Sequence, residues 1–481
     1  MSAVVVIGAG VGGLAVAARL AAAGHRVTVC EQAPTVGGKL GLLERGGFRF
    51  DTGPSLLTMP HVFADLLAAT GAPLDEVLDL VELDPIVRHH FPDGSVLDTC
   101  RDPHELASRI SAAFGPTAAA QWRRFAGRAA QVWDATHGPF LESPLDALTL
   151  VRRVGDIGTI APWRSLRSLA ASYLDDPRLR MMVERYATYT GSDPRYAPAA
   201  LATVPHAELH FGGWYVRGGL RRLADVLSER CAELGVTVRT SAEVVRVTTH
   251  GGRVTGVELA DGTVVNAAVV VADTDAAHLY TDLLPVPKLA RRLRRAPRSL
   301  SGFVVLLGLR RRTPGLAHHT VWFPPDYDAE FDAVFAGRPV TDPALYLSVP
   351  DDPAVAPVGH EAAFLLVNAP RQGPVDWRAP GFAESYADHL LERLAERGMD
   401  LTDRVLFREI VSPADLEERT RSVGGAIYGT SSNGARAAFL RPANQSPVPG
   451  LFLVGGSSHP GGGLPLVALS AQITARLIGP A

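Results

Sequence analysis

The chain has 481 residues, of which 47% are hydrophobic and 20% charged, and its formal net charge is −3. This length allows about three domains around a large core, and a near-neutral chain with no recognisable RNA- or DNA-binding motif excludes nucleic acid as an expected partner. The three cysteines, Cys30, Cys100 and Cys231, have no C-x-x-C spacing and suit buried, reduced thiols in a cytoplasmic protein.

The first element is an apolar strand, Ala3–Ile7, followed by Gly8-Ala9-Gly10-Val11-Gly12-Gly13 and a small-residue helix over 14–23. No basic residue precedes Arg19, so this start is not expected to be a secretion signal and should remain in the mature protein. Gly8 permits a tight turn, Gly10 and Gly12 leave room for a pyrophosphate, and Gly13 lets the helix press on the strand. The helix N-terminus then offers unpaired N–H groups to the phosphates. A second strand, 25–30, ends at Glu31, 23 residues beyond Gly8, where a carboxylate can accept from ribose hydroxyls.

The residues after Glu31 separate a flavin from a nicotinamide. Val36-Gly37-Gly38-Lys39-Leu40 and the stretch 47–54, ending Gly53-Pro54, predict a glycine-rich extended loop suited to the long ribityl chain of FAD. Gly38, Lys39, Gly53 and Pro54 are therefore assigned to the cofactor. No second G-x-G-x-x-G follows a strand, so a separate nicotinamide domain is not expected.

From residue 61 the pattern turns helical, and it defines an insertion over 61–205 that builds part of a substrate domain. The flavin domain, 1–60, resumes over 206–283 with a helix at 220–234 and a meander of short strands. Strands near 302–309 and 363–367 and a helix at 384–397 form a second substrate segment, 284–419. The chain returns to the cofactor over 420–481. There a strand enters Gly455-Gly456-Ser457-Ser458-His459-Pro460-Gly461-Gly462-Gly463-Leu464-Pro465-Leu466, and a helix runs to about residue 478. Pro465 suits a first helical turn, and that helix N-terminus stabilises negative charge on a reduced flavin by about 1 kcal/mol. The expected fold is α/β: a Rossmann-type FAD-binding domain assembled from discontinuous segments, with a mixed α+β substrate domain. No apolar run reaches the roughly 18–20 residues of a membrane-spanning helix.

Taken together, the nucleotide fingerprint, Arg185-Tyr186-Ala187-Thr188-Tyr189-Thr190-Gly191, Gly212-Gly213-Trp214-Tyr215-Val216-Arg217-Gly218-Gly219 and the block 455–471 resemble the phytoene desaturase family, the bacterial-type FAD-dependent carotenoid desaturases and their oxidase relatives. The resemblance implies FAD, a long apolar polyene substrate in a hydrophobic tunnel, and a quinone or oxygen as electron acceptor. Phytoene desaturases proper read more like G-A-G-T-H-P-G-A-G-I-P in the terminal block. The preceding Gly424-Gly425-Ala426-Ile427-Tyr428-Gly429 looks more like late-acting members, such as hydroxyneurosporene-type desaturases and diapocarotenoid terminal oxidases. The alternatives are a carotenoid terminal oxidase or ketolase on the same fold, a flavin amine oxidase-like enzyme, and a non-catalytic flavoprotein.

Within this frame His459 is the candidate for proton transfer, with loop bracing as its competing role. Tyr428 and Trp214 are candidate tunnel walls, with core packing the equal alternative. His206 and His210 share a helical face but lack the glutamate of H-E-x-x-H, so no metal is expected. The pairs His89-His90 and His318-His319 read as surface residues. Of two basic stretches, 288–298 and the set Arg152, Arg153, Arg164 and Arg167, the latter is interleaved with apolar residues and suits a membrane surface. Replacement of Gly10 by Val is expected to abolish FAD retention, read as loss of flavin absorbance in the purified protein. Glu31→Ala is expected to weaken binding by about 1.5–3 kcal/mol.

Overall fold

The computed structural model describes residues 2–144, 157–434 and 441–481. Its organising element is a five-stranded, all-parallel sheet. In chain order the strands are β1 (Ala3–Ile7), β2 (Arg26–Cys30), β3 (Thr237–Arg239), β4 (Val269–Ala272) and β5 (Leu451–Leu453), and their spatial order is β5-β4-β1-β2-β3. Parallel strands covered on both faces need apolar residues at successive positions, and Val4, Val5, Val6 and Ile7 are all buried. Helix α1 (Val11–Ala22) follows β1, and α3 (Leu464–Ile478) follows β5; the two pack against each other. Alanines 15, 17 and 18 are fully buried, so α1 meets neighbours on several sides through small side chains. A three-stranded antiparallel meander, Val244–His250, Arg253–Leu259 and Val264–Asn266, precedes β4, as the turn signals predict.

The second body is a seven-stranded sheet in the order Val405–Val411, Ser301–Arg310, His360–Ala369, Leu345–Ser348, His319–Trp322, Arg88–His90 and Val96–Asp98. Val321 pairs with Tyr346, and Tyr346 with Leu366, so these side chains share one face with Asn368, two residues further along its strand. Helices between residues 60 and 211 cover that face, ending with α2 (Thr203–Phe211). The mostly helical insertion thus supplies the last two strands at one side of a sheet otherwise drawn from the later substrate segment.

Two expectations are corrected here. Residues 42–51 form a β-hairpin, Leu42–Arg45 with Phe48–Asp51, rather than an extended loop; Gly46 and Gly47 take the turn with φ of 58° and 82°. Its Phe48 and Phe50 bury against Val304, Leu306 and Phe364 of the large sheet, which accounts for the departure. The histidine pairs lie inside the large sheet instead of at the surface: His89 and His319 are fully buried and only His90 and His318 are partly accessible. Burial holds the His89 imidazole down to about 3, so it is neutral and packs as an aromatic between strands.

A Cβ at Gly13 would overlap the carbonyl oxygen of Gly8, the contact that sets α1 on β1. Gly13→Ala is therefore expected to lower apoprotein stability by about 1–3 kcal/mol. The exposed helical Gly127 has open space around its Cβ position, and Gly127→Ala is expected to raise stability by about 0.5–1 kcal/mol. Urea denaturation of the two variants beside wild type measures both.

Candidate active site

At the carboxyl end of the parallel sheet, α1 begins at Gly10 with no side-chain cap and no acidic residue in its first turn. Its unpaired N–H groups face a single carboxylate, that of Asp273, which immediately follows β4. The Gly13 N–H donates to Asp273 Oδ2 at 2.7 Å. Cβ atoms at Gly10 and Gly12 would lie 2.7 and 2.8 Å from the same carboxylate, and one at Gly455 would collide with it. A carboxyl group thus fills a glycine-lined helix N-terminus, the position a phosphate takes in such a cradle. The residues therefore fit a dinucleotide. Glu31 stands at the end of β2 and accepts from the Ala9 and Ala33 N–H groups at 2.6 and 2.8 Å, beside the glycine turn. Gly37 bridges to Gly10, and a Cβ at Gly38 would sit 3.2 Å from Gly10 Cα; Gly53 packs directly on the Lys39 carbonyl.

The terminal block converges on the same place. Gly463 precedes α3 without a side-chain cap, and Pro465 lies in the first turn. Arg441, fully buried, donates to the carbonyls of Tyr428, Gly456 and Thr430 at 2.9, 3.0 and 3.1 Å, tying the 428–430 segment to the glycine block. Burial lowers its guanidinium to about 10. The partly buried Lys39 amine donates to the Ile427 carbonyl at 2.6 Å; desolvation lowers its pKa, against the raising effect of Asp275 and Asp273. Tyr428 is thereby fixed, with Gly191 and Gly462 leaving the space its ring fills. His459 donates from Nε2 to the Ser143 carbonyl at 2.9 Å, and burial holds it below the usual imidazole value. That is the bracing geometry of a neutral ring.

A cavity of about 700 Å³ opens from this block into the substrate domain. Gly53, Pro54, Tyr428, His459 and the run Gly461–Leu466 line one part, and apolar residues such as Leu56, Leu201, Leu300, Val321 and Leu366 line much of the remainder. Trp214 is not among the lining residues. Its indole N–H donates to the Phe211 carbonyl at 2.8 Å and its ring packs on the core beneath α1, so the wall assignment is corrected to packing. The His206 and His210 rings stack with centroids 5.0 Å apart. Among the described residues no cluster of three or more His, Cys, Asp or Glu side chains is arranged to hold a metal. Sequence reasoning missed Asp273 and Arg441. An aspartate directly after an apolar strand was a usable signal for the first; the second has no local signature.

A dinucleotide cradle opening onto a deep apolar chamber is the arrangement of a flavin-dependent oxidoreductase. Residues 11–376 match the family described as flavin containing amine oxidoreductase. The chain is 34% identical to the 4,4'-diapolycopene oxygenase of Methylomonas sp over 98% of this chain and 96% of that protein. It is 35% identical to the hydroxyneurosporene desaturase of Rhodobacter capsulatus, over 99% and 97%. Among solved structures an oxidoreductase from Methanosarcina mazei shares the fold, with a TM-score of 0.62, 18% identity and 98% of each chain covered. The chain belongs to the flavin containing amine oxidoreductases and, within them, to the phytoene desaturase type; it is an FAD-dependent oxidoreductase.

Burial raises the Asp273 carboxyl to about 7, opposed by the Gly13 N–H, reinforced by Glu31 and relieved by Lys39. As pH rises through 7 this group becomes an anion beside the pyrophosphate position, and FAD binding is expected to weaken by about ten-fold, equivalent to 1.4 kcal/mol. Asp273→Asn keeps an acceptor for Gly13 and is expected to flatten the dependence. Titration of apoprotein with FAD from pH 6 to 8.5, followed by flavin fluorescence, measures it.

Proposed function

We propose that this enzyme desaturates a long, acyclic isoprenoid polyene, a carotenoid of the later biosynthetic steps. The observation carrying the reading is the apolar cavity that joins the glycine block at the start of α3 to the sheet wall of Val321 and Leu366. A chamber whose lining is mostly apolar suits a hydrocarbon chain. Curated relatives of nearly full length bear the names of carotenoid desaturases and oxygenases. Bound FAD supplies the two-electron acceptor, held by Gly8, Gly10, Gly12, Gly13, Glu31, Gly38, Lys39, Gly53, Pro54, Gly455, Gly456 and residues 464–466.

The protein's own contribution is placement and exclusion of water. Lys39 and Arg441 fix the segment carrying Tyr428 as a rigid wall. His459, neutral and donating to Ser143, braces the glycine loop. The positive end of α3 favours negative charge at its N-terminus by about 1 kcal/mol. A quinone or oxygen serves as the final electron acceptor, in keeping with the single nucleotide fingerprint.

We infer a cytoplasmic enzyme that associates peripherally with the membrane holding its substrate. Among the described residues no helix is long and apolar enough to cross a membrane. Trp163 is 67% exposed and sits beside the cavity-lining residues Ile160 and Pro162, which supports contact with a lipid surface. Arg164 bonds the Ser168 hydroxyl and carbonyl close by. Arg167 is engaged otherwise, in ion pairs with Glu184 and Asp328, and is removed from the lipid-facing set. Arg152 and Arg153 lie outside the described residues.

Under anaerobic conditions the cognate carotenoid, supplied in anionic liposomes, is expected to bleach the oxidised flavin absorbance, and NADPH alone is not. Added quinone or oxygen should restore the flavin. Product mass then decides the chemistry: loss of two hydrogens is desaturation, and gain of oxygen is the terminal oxidase reaction. Rapid reduction by NADPH with no response to any polyene refutes the reading.

A further inference from the structure

Desaturation takes two hydrogens from neighbouring carbons, and only one can leave with its electron pair to FAD. The other leaves as a proton. A chamber that excludes water offers no solvent to receive it, so a group on the wall must. Among the described residues lining the cavity, Glu208 is the only carboxylate. It is carried on α2, is 1% exposed, and accepts from two phenols, Tyr186 at 2.6 Å on one oxygen and Tyr189 at 2.8 Å on the other. Tyr189 also lines the cavity, and its hydroxyl oxygen accepts from Arg185 Nη1 at 3.3 Å. A hydroxyl oxygen has two lone pairs, so that bond leaves one to receive a proton. His459, the imidazole on the same wall, is the poorer acceptor: its Nε2 is spent on the Ser143 carbonyl, and burial holds its pKa low.

Two contacts place this group at the cofactor end of the cavity. Tyr189 lies on a short helical turn, Tyr186–Thr190, that ends at Gly191. A Cβ at Gly191 would stand 2.9 Å from the Tyr428 ring, which itself packs on Gly462. On the other side the Tyr346 ring lies 5.6 Å from Arg185 Cζ, and its hydroxyl is paired at 2.7 Å with Ser55, directly after Gly53-Pro54. Charges are matched there. Burial works against the Arg185 cation, yet Tyr189 and Glu208 hold its pKa above the usual value, and a buried carboxylate needs such a partner. Burial raises the Tyr189 phenol well above its own usual value, against the lowering effect of Arg185, so it stays neutral and holds a proton to pass on.

We propose that Tyr189 and Glu208 are the proton-accepting pair of the desaturation. The proposal rests on the polyene reading above and assigns one of its steps. One C–H bond breaks with its electron pair passing to FAD. The neighbouring C–H bond breaks with its pair forming the new C=C bond, and its proton goes to the Tyr189 hydroxyl oxygen as the phenol proton of Tyr189 passes to Glu208. The polyene thus loses a hydride and a proton, and Glu208 becomes a neutral acid. Tyr189 meets the substrate; Glu208 acts through it, and Arg185 positions the phenol.

The test compares FAD-loaded wild type, Glu208→Gln and Tyr189→Phe. A series of acyclic polyenes of graded saturation is supplied anaerobically in liposomes, and the member that reduces wild-type flavin fastest is used throughout. Glu208→Gln is expected to lower the limiting rate of flavin reduction by about 100-fold or more, and Tyr189→Phe by about ten-fold or more. Binding of a fully conjugated, unreactive polyene, followed by quenching of tryptophan fluorescence, is expected to stay within about two-fold of wild type. Deuterium at the carbon that loses the proton is expected to slow Glu208→Gln more than wild type, because proton removal has become the slower event; a merely structural role leaves that isotope effect unchanged. If Glu208→Gln does not retain FAD, Tyr189→Phe, which keeps the ring and its packing, decides the question by the same measurements. A wild-type limiting rate in the variants, or a loss expressed wholly in polyene binding, overturns the proton-accepting pair and leaves the desaturase reading standing. Failure of every polyene to reduce wild-type flavin overturns both.

Discussion

The whole architecture turns on how closely backbones approach at the carboxyl end of the parallel sheet. Gly13 lies on the Gly8 carbonyl, Gly10 and Gly12 face the Asp273 carboxylate, and Gly455 presses on it from the other side. A side chain at any of these positions would push the first turn of α1 away from β1 or from β4. Because α1 is uncapped, its N–H groups and dipole are left for an anion. The substrate domain could vary widely without disturbing this point, whereas one methyl group here would displace the cofactor that every later step needs.

The large sheet answers a different demand. Its strands place Val321, Tyr346, Leu366 and Asn368 on one face, and the helical insertion roofs them, so the cavity lies between a rigid floor and a cover from another part of the chain. The hairpin carrying Phe48 and Phe50 crosses from the cofactor domain to this sheet. It couples the two bodies through aromatic packing, and the glycine loop and the chamber are held in one register.

What could be read from the residues was short-ranged. The turn Gly8–Gly13, Glu31 at the end of β2, and the block from Gly455 into α3 are legible as local structure because each is written within a few residues. Strand and helix positions around the meander and α3 followed from apolar periodicity in the same way. Asp273 reaches Gly13 across 260 positions, and Arg441 and the Arg185–Tyr189–Glu208 chain likewise gain meaning only from partners far away. The adjacent histidines misled because polarity suggests a surface, while desolvation had made His89 a neutral ring in the sheet. Trp214 sat in a glycine-rich motif that suggests a site, yet its indole N–H is used up on Phe211.

The order in which the parallel sheet is assembled has a consequence for biogenesis. β4 ends at Ala272, and β5, which covers its outer edge, begins only at Leu451. A ribosome adding about 5–20 residues per second needs on the order of ten seconds or more to bridge that interval. Throughout it, β4 presents an open hydrogen-bonding edge of apolar residues, the kind of edge that recruits other chains. α3 is also missing, so α1 packs only on the helix Arg221–Glu233 and lacks its later partner, and the glycine block lacks its helix N-terminus. The parallel sheet is therefore closed only near the end of synthesis, and the nascent chain must complete its substrate domain before its cofactor domain is whole.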